Sequence, residues 1–225
     1  MPRSAKPGTK PGTKAGTSPT VVLLVRHGQT PTTGRLIPGR ARGLHLADEG
    51  RHQADAVAER IAPLGAKVAA VYASPLERTR ETARPIARAL GLRVRTERGL
   101  VDFDTGDWTG QELKTLSKRP EWKTVQWRPS VFRFPGGESF AEGHLRICST
   151  LDRLAAEHAG GVVVAVSHAD PIRLAVANAL GAHLDLFQRV MVSPCSVSAI
   201  TYSPAGQSVL FVNSTGRDLN GLGAE

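Results

Sequence analysis

Two stretches of the chain decide how it folds: Val21-Val22-Leu23-Leu24-Val25-Arg26-His27-Gly28 and Val162-Val163-Val164-Ala165-Val166-Ser167-His168. Each is a short, wholly apolar run that turns at once to polar residues at a histidine. Runs of this length with no polar alternation are the pattern of parallel strands covered on both faces. Between and around them the apolar period lengthens to that of amphipathic helices. A helix is expected from about Asp48, as cap, through Ala54, Val57 and Ile61 to a stop at Pro63 or Gly65. Val68–Ala73 is the next strand, followed from Ser74-Pro75 by a helix to Leu90 in which Pro85 predicts a kink or break. Leu92–Thr96 reads as a third strand and Ser139–His158 as a long helix. After the second histidine, Asp170 is expected to cap a helix with Pro171 as its first residue. Val197–Tyr202 and Val209–Val212 read as a closing hairpin through Pro204-Ala205-Gly206. Strands alternating with helices imply an α/β chain, a three-layer α/β/α sandwich on a mostly parallel sheet. Residues 100–138, rich in Gly, Pro, Trp and charge, show no clean period and read as an irregular cap insertion.

Composition bounds the rest. The 225 residues are 40% hydrophobic and 22% charged, which suits one globular unit with a real core and excludes a disulfide miniprotein, a fibre or a wholly disordered chain. The formal charge of +9 invites a polyanion partner. Its distribution argues otherwise, because Arg3, Lys6, Lys10 and Lys14 supply four of those charges with no acid among them. Residues 1–20, with near-copies of Lys-Pro-Gly-Thr, bury too little to fold and read as a flexible basic tail ahead of a folded body at 21–225. Cys148 and Cys195 are too few for a disulfide framework or zinc site, and no apolar run is long enough to span a bilayer. A cytoplasmic protein is therefore expected, without membrane or specific nucleic-acid partners. Self-association as a homodimer is left open.

The chemistry follows from where strands end. In doubly wound sheets, ligand sites form at the carboxyl ends of the strands, so His27 and His168 could meet there. Arg26 flanks the first, and Arg78 lies early in the helix after the second strand. Two guanidiniums with two imidazoles call for an anion. A phosphoryl group fits, since guanidinium forks match its oxygens and a neutral imidazole nitrogen can attack phosphorus. No metal or other cofactor is then required. A leaving alkoxide needs a proton, and the irregular stretch offers Asp102, Asp104 and Asp107.

Arg26-His27-Gly28, Ser74-Pro75-Leu76-Glu77-Arg78, Gly106-Asp107-Trp108, Pro135-Gly136-Gly137-Glu138-Ser139 and Val166-Ser167-His168 occur in one order. Over residues 21–215 this arrangement resembles the histidine phosphatase superfamily, the phosphoglycerate-mutase-like proteins. The resemblance implies that His27 is a nucleophile carrying phosphohistidine and that Arg26, Arg78 and His168 complete the phosphate pocket. Gln29 and Thr30 would add contacts through backbone N–H groups. The family's proton donor, usually Glu, falls on Asp102, which as a shorter and more acidic group must be raised by burial to hold a proton; Asp104 is the reserve. Thr33 stands where the family often has Asn. The implied activity is hydrolysis of small phosphate monoesters, with a mutase using the same pocket as the first alternative and a weakly active phospho-ligand-binding module as the second. The short body favours hydrolysis.

Other clusters have plainer readings. Trp108, Trp122 and Trp127 with nearby Arg and Lys could stack nucleic acid, but are expected to anchor the cap. His45, His52, His144, His158 and His183 lack motif context and read as surface residues. A metal held by His27, His168 and an Asp is disfavoured, because Arg26 and Arg78 would repel the cation.

Overall fold

The computed structural model describes residues 18–216. A six-stranded sheet runs through its centre: β1 (Thr20–Arg26), β2 (Val68–Ala73), β3 (Val94–Thr96), β4 (Val162–Ser167), β5 (Val197–Ser203) and β6 (Gly206–Ser214). The spatial order is β3-β2-β4-β1-β5-β6. β3, β2, β4 and β1 are mutually parallel, whereas β5 runs antiparallel to β1 and pairs with β6 in the hairpin. The two apolar stretches that end in histidine are thus central neighbours, in register from Val21 opposite Val162 to Arg26 opposite Ser167.

Helices cover both faces. α1 (Asp48–Ile61) and α2 (Glu77–Ala89) pack over one face on Val21, Leu23, Val25, Val164 and Val166. α5 (Phe140–Glu157) and α6 (Ala169–Ala179) cover the other, over Val22, Leu24, Val163 and Ala165. Alternate residues of β1 and β4 therefore serve different cores. That double burial is why these strands read as continuous apolar runs.

The insertion is less irregular than its composition suggests. It holds two short helices, α3 (Leu113–Leu116) and α4 (Pro120–Trp127), and its aromatic residues Phe103, Trp108, Phe132 and Phe134 join Phe140 of α5 in the core of that face. Trp108 stacks on Trp122, ring centroids 6.1 Å apart, so both anchor the cap as expected. Trp127 does not: it is 77% exposed.

Helix starts also differ from expectation. Ala47, not Asp48, is the N-cap of α1, and Asp48 stands at the first helical position. His168 is the N-cap of α6, displacing Asp170 and Pro171 into the first turn. Asp170 has a better partner there, since its Oδ1 accepts from Arg173 Nη1 at 2.9 Å. α2 is assigned as one uninterrupted helix through Pro85, so no break occurs. The missing N–H costs one helical bond, and buried Ala83, Ile86 and Ala87 on either side hold the helix to the sheet. Of the expected tail, residues 1–17 lie outside the described residues. Thr20 belongs to the body: it opens β1, and its buried hydroxyl donates to Ala155 O at 2.9 Å.

Candidate active site

Three parallel strands deliver the site to one rim. Past the end of β1, His27 N donates to Ser167 O of β4 at 3.0 Å, and past β2 Ser74 N donates to Val166 O of β4 at 3.1 Å. The ladder thus extends one residue beyond β1 and β2, and with His168 next after Ser167 it gathers His27, His168 and Ser74 at one rim. The two imidazoles lie with ring centroids 5.2 Å apart at 62°, and Ser74 Oγ sits 2.9 Å from His168 Nε2. Ser74 went unread as a site residue, although it stands in the Ser74-Pro75 turn that starts α2.

The loop after β1 needs its glycine. A Cβ on Gly28 would come 2.4 Å from Gly50 O, and one on Gly50 would come 2.0 Å from Gln29 O. The turn after His27 therefore rests directly on the first turn of α1. Gly28 N donates to Thr82 Oγ1 of α2 at 3.0 Å, which ties the loop to both helices of that face.

His27 Nδ1 lies 2.7 Å from Gly28 O. A carbonyl only accepts, so Nδ1 carries the hydrogen and Nε2 keeps its lone pair. Burial, with Arg78 and Arg26 adding repulsion, lowers the His27 pKa to about 3. His168 is held well below its ordinary value by the same burial and the same guanidiniums, helped by His27 itself. Both rings are neutral at physiological pH, the form a nitrogen nucleophile needs.

Arg78 is 0% exposed. Its Nη2 donates to Gly39 O at 2.8 Å and to Asp102 Oδ2 at 3.2 Å. Arg78 Nε and Nη1, Arg26 Nε and His168 Nδ1 are buried without a hydrogen-bond partner among the described residues. Unsatisfied buried donors of this kind are rare and costly, and the three guanidinium N–H positions around His27 form a receptor for an anion, joined by His168 Nδ1 in the tautomer whose Nε2 accepts from Ser74 Oγ. Arg26 Nη1 is held by Val192 O at 2.7 Å, which fixes the guanidinium while leaving Nε free.

Asp102 joins this cluster from the cap, its Oδ2 3.5 Å from His168 Nδ1. Burial raises its pKa to about 6 against the opposing pull of Arg78. Asp104, the reserve, instead points outward at 47% side-chain exposure, 3.6 Å from Arg40. Arg40 Nε donates to Asp102 O at 2.9 Å, and Arg40 Nη2 to Glu138 Oε2 at 2.9 Å. Glu138 also accepts from Arg146 Nη2 at 2.6 Å and from Asp104 N at 3.2 Å. This carboxylate thereby locks the loop that presents Asp102. Only its place in Pro135-Gly136-Gly137-Glu138-Ser139 hinted at such a role.

Gln29 and Thr30 require correction. The N–H of Gln29 goes to Gln53 Oε1 at 3.0 Å and that of Thr30 to Thr33 Oγ1 at 2.9 Å, so neither amide is free for phosphate. Gln29 is exposed, whereas the Thr30 side chain lines the cavity. Thr33, the replacement for the family's usual Asn, braces the loop from within.

Arg26, His27, Thr30 and Asp102 line the inner part of a cavity of about 460 Å³. Arg78 and His168 back that floor, through Asp102 and the His27 ring respectively.

The chain is similar to known proteins along nearly all of its described residues. Residues 22–215 match the model of the histidine phosphatase superfamily, branch 1. A bifunctional protein of Mycobacterium tuberculosis is 36% identical over 207 residues, covering 88% of this chain and 55% of its own, so the chain spans about half that relative's length. Phosphoserine phosphatase 1 of Hydrogenobacter thermophilus is 30% identical over 199 residues, 86% of this chain and 92% of the other. Among solved structures, a mycobacterial glucosyl-3-phosphoglycerate phosphatase superposes with a TM-score of 0.77 at 23% identity, over 87% of this chain and 99% of the other. That likeness speaks for the fold. With strand-end histidines, a buried and a half-buried arginine beside them, and a match along nearly the whole described body, the chain belongs to the histidine phosphatase superfamily, branch 1.

Proposed function

We propose that the protein hydrolyses small phosphate monoesters through a phosphohistidine at His27. The observation that carries this reading is the set of three unpartnered buried guanidinium donors on Arg26 and Arg78, beside His168, around a neutral imidazole with a free Nε2. In the first step Nε2 forms a bond to phosphorus as the ester P–O bond breaks, and the Asp102 carboxyl gives its proton to the leaving oxygen. In the second, Asp102 as carboxylate takes a proton from water while that water attacks phosphorus and the N–P bond breaks. Inorganic phosphate leaves and Asp102 is again protonated. Arg26, Arg78 and His168 hold the peripheral oxygens throughout, where fixed donors in a water-poor site act most strongly.

The names of relatives support hydrolysis, Phosphoserine phosphatase 1 among them. A probable phosphoglycerate mutase of Yersinia enterocolitica, 32% identical over 188 residues, keeps transfer to a second substrate hydroxyl as the other reading. Release of inorganic phosphate from a panel of monoesters, with and without chelator, tests the proposal. Chelator-resistant turnover that is lost in His27→Ala is expected. Turnover that survives the substitution, or isomerisation without phosphate release, would overturn it.

A further inference from the structure

The cavity lining is of two kinds. Arg26, His27 and Asp102 belong to the phosphate machinery; Leu36, Ile37, Leu113, Trp122 and Val125 make an apolar wall, with Gln126, Gln188 and Arg173 among its polar members. Trp122 is half-buried and braced by its stack on Trp108. Val125 is fixed from behind, since its carbonyl accepts from Gln188 Nε2 at 2.9 Å. Two members of the apolar wall are therefore held in place by their neighbours.

Arg173 is, with Arg26, a cation of the cavity lining, and two of its donors are engaged. Its Nη1 donates to Asp170 Oδ1 at 2.9 Å and its Nε to Val190 O at 3.0 Å. Asp170 itself lines the cavity. Arg173 is thus paired, and a carboxylate on the leaving group would meet an apolar wall and the Asp170 acid beside that paired guanidinium. Stripping water from such a group against apolar surface is costly.

Resting on the phosphatase reading above, we propose that the preferred substrates are monoesters whose leaving alcohol is uncharged and carries an apolar or aromatic body. Trp122 and the Asp170–Arg173 pair set that preference. Phosphoserine and 3-phosphoglycerate, which place a carboxylate beside the reacting ester, are then poor substrates. A cavity of about 460 Å³ lies within the range that holds a ring-sized ligand.

The test compares kcat/KM for 2-phenylethyl phosphate with phosphoserine and 3-phosphoglycerate, all esters of alkyl alcohols, on the full chain. We expect 2-phenylethyl phosphate to lead by at least about tenfold, the discrimination that modest apolar contact supplies in an enzyme pocket. Trp122→Ala should shrink that ratio by about tenfold. Asp170→Asn should shift it toward the carboxylates by releasing Arg173; any effect on the phosphoryl chemistry cancels in the ratio. Equal or reversed preference in the wild-type protein, or ratios unmoved by both substitutions, would overturn the inference while leaving hydrolysis intact. Absence of turnover with every ester would instead sink the phosphatase reading. The preference would then be read from quenching of tryptophan fluorescence by 2-phenylethylphosphonate against the phosphonate analogue of phosphoserine, where equal affinities would overturn it.

Discussion

In the proposed mechanism the leaving oxygen takes its one proton from Asp102, which makes the pH profile of poor leaving groups a sharp probe. Burial holds Asp102 near 6 while His27 titrates near 3, so both groups have the required protonation between those values. Below about 3, His27 gains a proton and loses its lone pair. Above about 6, Asp102 loses the proton that the leaving oxygen needs. For an alkyl ester, kcat/KM should be flat across that window and then fall about tenfold per pH unit, reaching roughly a hundredfold loss at pH 8. An aryl ester with a good leaving group does not need the proton, so its alkaline limb should be shallow. Asp102→Asn should lower the acid plateau for alkyl esters by about 10² to 10⁴, the usual worth of a positioned acid, and flatten the limb above 6. The assay is phosphate release across pH 3 to 9, corrected for the substrate's own second ionisation. A limb that persists unchanged in Asp102→Asn, or equal slowing of alkyl and aryl esters, would refute the assignment of Asp102 as acid.

The remaining predictions address the same groups in other ways. The raised pKa of Asp102 means that the folded protein binds its proton more tightly than the unfolded chain, so stability falls as pH rises through the interval from 3.8 to about 6. A rise of that size corresponds to about 3 kcal/mol, so Asp102→Asn should be stabilising by up to that amount at pH 7 and neutral at pH 3, as read by urea unfolding. Phosphate at 100 times its Kd should add about 2.7 kcal/mol of stability and raise the Tm by roughly 5 to 10 °C, an increment lost in Arg78→Ala. Thr82→Val leaves Gly28 N without its acceptor and should cost about 1–3 kcal/mol while slowing turnover. Gly50→Ala drives a Cβ to within 2.0 Å of Gln29 O, and thermal melting should show destabilisation of several degrees together with loss of activity.

How much of this was legible in sequence depends on the range of the interaction. The two apolar strands and the histidines after them were plain, because residues covered on both faces leave no polar alternation, and parallel register then sets His27 beside His168. Arg78 and Asp102 are expected from motif order, and the structure brings both beside His168, with burial raising the Asp102 pKa. Capping was misread by a residue or two, since Ala47 and His168 take positions that Asp48 and Asp170 suit by type, and Asp170 is drawn instead to Arg173. Gln29 and Thr30 were overread, as local side chains of Gln53 and Thr33 claim their amides. Glu138 was underread. Its partners Arg40 and Arg146 come from distant segments that only the folded cap brings together.

The central claim is that the phosphoryl group passes through the His27 ring. Rapid acid-free quenching of enzyme with a 32P-labelled monoester, followed by peptide mapping, tests it directly. The expected result is one acid-labile, alkali-stable phosphoryl group per chain on His27, formed as fast as the alcohol is released and absent in His27→Ala. Alcohol release with no label on His27 at the earliest times, or label on another residue, would contradict the account.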